Sequence, residues 1–176
     1  MASTGRQMND VNAMIEDVVR IALPQLRASA TLVREYGDLP PIECSGQELR
    51  QVLLDLILNA ASSLGGSGTI RLCTAREGDT ISIVVEDDGR GHSPEQVERI
   101  FDPTPGGGDT ESGLDLCVAE QIVRQHAGEI RMESRLGQGS TVTVRLPIVG
   151  HDSTSSDASA VADPADGLAT SRGGAA

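Results

Sequence analysis

The chain has 176 residues and sets 26 acidic against 14 basic side chains, for a net charge of −12, with only 1% aromatic residues. All the basic residues are arginine, which excludes lysine chemistry such as Schiff bases and the phosphate-binding GK[ST] loop. So acidic a chain, nearly without stacking aromatics, repels nucleic-acid phosphates and anionic lipid surfaces, so neither a nucleic acid nor a membrane is an expected partner.

The length suits one domain. With Tyr36 and Phe101 as its only aromatics, the core must be aliphatic. Residues 1–8 lack periodicity and read as a leader outside the fold. Residues 9–149 form the expected folded unit. The tail, 150–176, has Val161 and Leu168 as its only large apolar residues, too few to offset ordering entropy, and is expected to be disordered. No apolar run approaches the ~18 residues of a membrane helix, no secretory signal is visible, and a cytoplasmic domain is expected, from a parent protein that could itself be membrane-anchored. Cys44, Cys73 and Cys117 are odd in number, widely spaced and in apolar-patterned segments, which predicts buried thiols and no disulfide.

In chain order, Val11, Met14, Ile15, Val18 and Ala22 recur at helical spacing behind an N-cap at Asn9 or Asp10, and Pro24 should bend or end that helix. Residues 31–36 and 42–44 read as short strands. Ser45 and Glu48 make a capping box for a helix whose Leu49, Val52, Leu53, Leu56, Ile57 and Ala60 form an apolar face. Strands 69–75 and 80–86 follow, with Ile81, Ile83 and Val85 pointing one way. Ser93-Pro94 opens a short helix. After a glycine-rich loop at 102–112, a helix at 113–127 stops at Gly128, and a hairpin turns at 136–139. The expected fold is an α/β two-layer sandwich: a mixed sheet with helices packed on one face.

Four segments carry candidate chemistry. Asp55 and Asn59 lie four apart on one helix face, where their oxygens could ligate Mg²⁺ or simply face water. Glu86-Asp87-Asp88-Gly89-Arg90-Gly91 ends a strand in carboxylates, suited to accepting from an exocyclic amine or to an ordinary acidic turn. Residues 105–112 lead into the helix at Gly113, either a phosphate site at free helix amides or a surface loop. Gly137-Gln138-Gly139-Ser140-Thr141 is by itself a hairpin turn.

In this order the four segments resemble the catalytic, ATP-binding domain of bacterial two-component sensor histidine kinases, a branch of the GHKL ATPases with the Bergerat ATP-binding fold. The stretch QVLLDLILNAA resembles that family's N box, VEDDGRG its first glycine box, and RIFDP its F box. SGLDLCVAEQIVRQHAGEIRMESRLGQGSTVTVRLP resembles the second and third glycine boxes. The resemblance implies that Asn59 ligates Mg²⁺ on ATP and that Asp87 bonds the adenine amine, with Ser140 helping through water. Gly89 and Gly91 would let backbone approach the nucleotide, and Gly113 and Leu114 would offer amides to the phosphates. His126 falls outside the pocket, in a structural role.

Some positions depart from that family. Asp55 and Asp88 stand where it usually has Asn, and Glu111 and Asp115 replace glycines of the second glycine box. The lid lacks the usual Phe and Thr-Thr-Lys, so a triphosphate meets carboxylates with no lysine. Asp55 also matches the position of a nucleophile-activating Glu in gyrase-like and anti-sigma relatives, as a weak base. No histidine lies in an H box, so the implied reaction is γ-phosphoryl transfer to a His on a separate dimerising helical domain, with a response regulator downstream. A docking module with weak or no nucleotide binding is the alternative, and an anti-sigma-type Ser/Thr kinase relative a third reading.

Overall fold

The computed structural model describes residues 5–27, 29–102 and 116–148. In chain order the elements are β1 (Gln7–Asn9), α1 (Val11–Leu26), β2 (Ala30–Tyr36), β3 (Ile42–Cys44), α2 (Gly46–Ser63), β4 (Gly68–Glu77), β5 (Thr80–Asp87), α3 (Pro94–Arg99), α4 (Cys117–Gln125), β6 (Glu129–Arg135) and β7 (Gly139–Pro147). Five strands form a mixed sheet in the order β2-β4-β5-β7-β6, and β1 and β3 form a separate two-stranded ribbon. Only the β2–β4 pair is parallel, because the chain between those strands crosses over through β3 and α2.

Alternation along the strands builds the core face. Register places Leu72, Val85, Val142 and Met132 in one row across β4, β5, β7 and β6, and Thr74, Ile83, Val144 and Ile130 in the next. All eight are buried. Against them pack α1, through Val11, Met14, Ile15 and Val18, and α2, through Leu49, Val52, Leu53, Leu56 and Ile57. The opposite face carries polar pairs such as Arg71 with Glu86 (3.2 Å) and Arg145 with Glu77 (3.1 Å). These are solvent-exposed pairs that add little stability. The two-layer α/β sandwich expected from the sequence is the fold observed.

Four local expectations need correction. The supposed leader includes β1: Gln7, Met8 and Asn9 pair with Cys44, Glu43 and Ile42, so the ordered unit starts before residue 9. Asn9 Nδ2 also donates to the Cys44 carbonyl at 3.0 Å, a tie that a hydropathy pattern does not register. Of the two effects expected of Pro24, bending or ending the helix, the second is not met: α1 runs on to Leu26. A proline this close to a helix end removes one amide, and burial of Leu26 at 1% exposure holds the last turn down. The helix expected to run to residue 127 ends at Gln125, and Ala127, ahead of Gly128, is left-handed (φ 55°). Cys73 is half-buried on the open sheet face, where its thiol donates to Glu35 at 3.5 Å.

His126 couples α4 to α2. Its Nε2 accepts the backbone amide of Ser45 at 3.0 Å, and its Nδ1 donates to the Ile122 carbonyl at 2.8 Å. Ser45 is the N-cap of α2 and accepts from the Glu48 amide. A buried ring therefore supplies an acceptor to an amide at the helix entrance.

Candidate nucleotide site

The core face ends in a polar row. Asp87 lies opposite Ser140 across β5–β7, and Ser140 opposite Ser134 across β7–β6. The strand alternation that points Ile83 and Val85 into the core also points Asp87 inward, leaving it 6% exposed. Its Oδ1 accepts from Ser63 Oγ at 2.7 Å and from the Gly89 amide at 2.9 Å. Burial raises its carboxyl above the ordinary carboxylate range, and these two bonds only partly oppose that.

Ser63 is the last residue of α2 and one helical turn beyond Asn59, so both present to the same side. Asn59 is 4% exposed, and its Oδ1 is buried without a hydrogen-bond partner among the described residues. A buried carbonyl oxygen left unsatisfied costs ~1–3 kcal/mol, which makes Asn59 the one place on α2 where an arriving cation would repair a deficit. Oxygen is the donor that Mg²⁺ prefers, and Mg²⁺ usually takes few protein ligands plus substrate phosphates. Among the described residues no group of three or more His, Cys, Asp or Glu could hold a metal. Asp55, a turn earlier, is half-buried. Desolvation raises its carboxyl, while Gln51 Nε2 donates to its Oδ1 at 2.9 Å.

The loop after Asp87 is fastened on both sides. The Arg90 amide donates to the Ser63 carbonyl (2.9 Å) and the Gly137 amide to the Arg90 carbonyl (2.7 Å). Gly89 and Gly91 are needed for that fastening: a Cβ at Gly89 would strike the Ser63 carbonyl, and one at Gly91, where φ is 66°, the Arg135 carbonyl. Close approach at these glycines is thus to the protein's own backbone. Asp88, where the resembling family has Asn, accepts the Thr69 amide through Oδ1 at 2.7 Å, a role either side chain fills.

An open groove of about 610 Å³ runs beside the row, lined by Asp87, Ser134, Ser140, Met132, Val97 and Pro94 among others. That volume lies within the ~300–1,000 Å³ of small-ligand clefts. The structure thus brings Asp87 and Ser140 together on one groove and sets Asn59 one helical turn before Ser63, which bonds Asp87. Asn59, Asp55, Gly89 and Gly91 do not line the groove. Gly113 and Leu114, with Glu111 and Asp115, lie outside the described residues. Sequence reasoning missed Ser63, Ser134 and His92 as members of the polar row's network. Ser63 had a signal, its four-residue spacing from Asn59, whereas Ser134 becomes visible only through strand register.

Comparison with known proteins bears on family and fold. Residues 44–150 match the family described as histidine kinase-, DNA gyrase B- and HSP90-like ATPase. The chain is 33% identical over 144 residues to sensor histidine kinase ZraS of Escherichia coli K12, covering 81% of this chain and 31% of that protein. It is 32% identical over 145 residues to the histidine-protein kinase AtoS of the same organism, covering 81% and 24%. The chain therefore spans less than a third of the length of these curated relatives. Among solved structures, a nucleotide-free catalytic domain of histidine kinase ThkA superposes with a TM-score of 0.75 at 22% identity, covering 82% of this chain and 97% of that one. ShkA in complex with AMPPNP superposes with a TM-score of 0.70 at 24% identity, covering 81% and 31%. With the motif order, the five-stranded sheet and the matched residues in agreement, the chain belongs to the histidine kinase-, DNA gyrase B- and HSP90-like ATPase family.

Proposed function

We propose that this domain binds Mg-ATP and presents its γ-phosphoryl to a histidine on a separate helical domain, as the catalytic part of a two-component sensor kinase. The observation that carries the reading is the buried, partnerless oxygen of Asn59 one helical turn from Ser63, which itself bonds Asp87. Asp87 accepts from the adenine amine, and Ser140 borders the same groove. Gly89 and Gly91 hold the loop that fixes Asp87, while Gly113 and Leu114 supply backbone amides to the phosphates. Asn59 holds Mg²⁺, which when bound neutralises phosphate charge. Asp55 sits one turn away with a carboxyl raised by burial and would act as a weak base.

The chemistry asked of the chain is positioning and charge neutralisation, not covalent work. The acceptor histidine, the response regulator and a cytoplasmic location belong to the parent protein. Among the described residues no helix is long and apolar enough to cross a membrane.

Titration with Mg-ATP followed by amide shifts tests the reading. Shifts should concentrate at residues 55–63, 87–91 and 140. A folded protein with no shifts at millimolar Mg-ATP would remove the kinase reading and leave the docking module in its place.

A further inference from the structure

The polar row offers more hydrogen-bond contacts than its hydroxyl hydrogens can serve, and counting them assigns their directions. Ser134 Oγ lies 2.9 Å from the Gly139 carbonyl and 2.8 Å from Ser140 Oγ, and it accepts the His92 backbone amide at 2.8 Å. Ser140 Oγ lies 3.2 Å from His92 Nδ1. Ser140 and His92 are 4% and 3% exposed, so these contacts carry weight that surface ones would not.

A carbonyl cannot donate, so the single Ser134 hydrogen is drawn to Gly139. Ser140 must then donate to Ser134. Its remaining lone pairs face His92, which must carry its hydrogen on Nδ1. The reverse circuit, from Ser134 to Ser140 to a bare Nδ1, forfeits the bond to Gly139. The forward circuit forms every contact.

We propose that Ser134 and His92 determine base specificity: they keep the Ser140 hydroxyl hydrogen inside the protein, so that Asp87 and Ser140 offer only acceptors and select a 6-aminopurine over a 6-oxopurine. This rests on the reading of Asp87 as the base-binding residue. A 6-amino group donates to such a wall. In the pose that sets the 6-substituent on Asp87, a 6-oxo group opposes one acceptor to others, while the N1 hydrogen that accompanies it lies one ring atom away. Buried oxygens are left unpaired, and polar sites reject that mismatch strongly.

ATP and ITP, whose bases differ in an amino against an oxo group at the 6-position and in the hydrogen that the oxo form carries on N1, are the probes, each titrated with Mg²⁺ into the intact chain. The parent should bind ATP more tightly. Ser134→Ala combined with His92→Phe removes both internal partners of the Ser140 hydroxyl, which can then turn to donate to the 6-oxo group. The ATP/ITP affinity ratio should fall at least tenfold, mainly through tighter ITP. Adding Ser140→Ala should abolish the gain, and a gain that persists would overturn the proposal.

Undiminished discrimination in a folded double variant overturns the roles of Ser134 and His92 while leaving Asp87 as the base-binding residue. A parent that binds ATP and ITP equally overturns both. Should the double variant fail to fold, nitrogen-15 spectra of the parent decide the matter. Nδ1 of His92 should be the protonated nitrogen at neutral pH, and a pyridine-type Nδ1 would overturn the assignment.

Discussion

Burial holds the Asp87 carboxyl above the ordinary carboxylate range, and the same burial makes each hydrogen bond to it stronger than it would be in water. The consequences for folding and binding run in opposite directions with pH. The folded apo-protein keeps the Asp87 proton where the unfolded chain has released it. Its contribution to stability is therefore full below the ordinary carboxylate pKa and is lost as pH rises through the raised one. Across that interval the carboxylate forms, and affinity for an adenine amine should rise. Asp87→Asn should remove both slopes. At neutral pH it should leave apo stability unchanged or higher, since Asn still accepts from Ser63 and Gly89. It should weaken ATP by the ~1.5–3 kcal/mol of a hydrogen bond to a charged group, roughly ten- to a hundredfold. Denaturation midpoints and nucleotide titrations from pH 4 to 8 measure both, and parallel losses of stability and affinity would contradict the assignment. Asn59→Ala makes a complementary test. Deleting an unsatisfied oxygen removes a cost of ~1–3 kcal/mol and should leave apo stability unchanged or higher, while the part of ATP affinity that depends on Mg²⁺ should disappear in titrations with and without the metal. At this scale Asp87 and Ser140 were legible because each belongs to a strand-end motif. Ser63 was not, because no local pattern says that a helix terminus will reach a strand end.

Helices and strands were legible wherever apolar spacing was strong, as in α2 and β5, and less so where a tertiary contact overrides a local rule. Pro24 is locally a helix stop, yet burial of Leu26 carries α1 past it. β1 is three residues long, with Met8 63% exposed, so it has no hydropathy signal and exists through backbone pairing with β3. The glycines after β5 were noticed for the right reason, close approach, but the approaching group is protein backbone. The joint between α4 and α2 makes a prediction at this scale. His126→Phe keeps the bulk but leaves the Ser45 amide without its acceptor, and should cost ~1–3 kcal/mol in urea unfolding. His126 bonds Ser45 and Ile122 and lies 3.9 Å from the Glu48 carboxylate, and none of these residues lines the groove, so ATP affinity in the folded variant should stay within about threefold of the parent. A large drop in affinity without loss of stability would place His126 in the site.

For the whole molecule, charge sets the terms of nucleotide binding. A protein of net charge −12 repels ATP at long range, and screening acts within ~10 Å at 0.1 M salt. Affinity for ATP at fixed Mg²⁺ should therefore hold or improve as monovalent salt rises from ~10 to ~150 mM, whereas a site built on basic clamps would weaken. Kd measured across that range decides, and replacing Glu111 and Asp115 with Gly should flatten the dependence.

The lone parallel pairing in the sheet bears on the order in which the molecule assembles. β4 and β5 meet across a tight turn, with Glu77 opposite Thr80, and β6 and β7 close almost as locally, with Arg135 opposite Gly139. β2 can join only when Ala30 finds Gly68, with all of β3 and α2 looped out between them. Closing that long loop spends chain entropy before any contact repays it. In refolding followed by pulsed deuterium labelling, amides bonded within the two hairpins should gain protection before those that join β2 to β4 or β5 to β7, where Asp87 finds Ser140 only across a still longer loop.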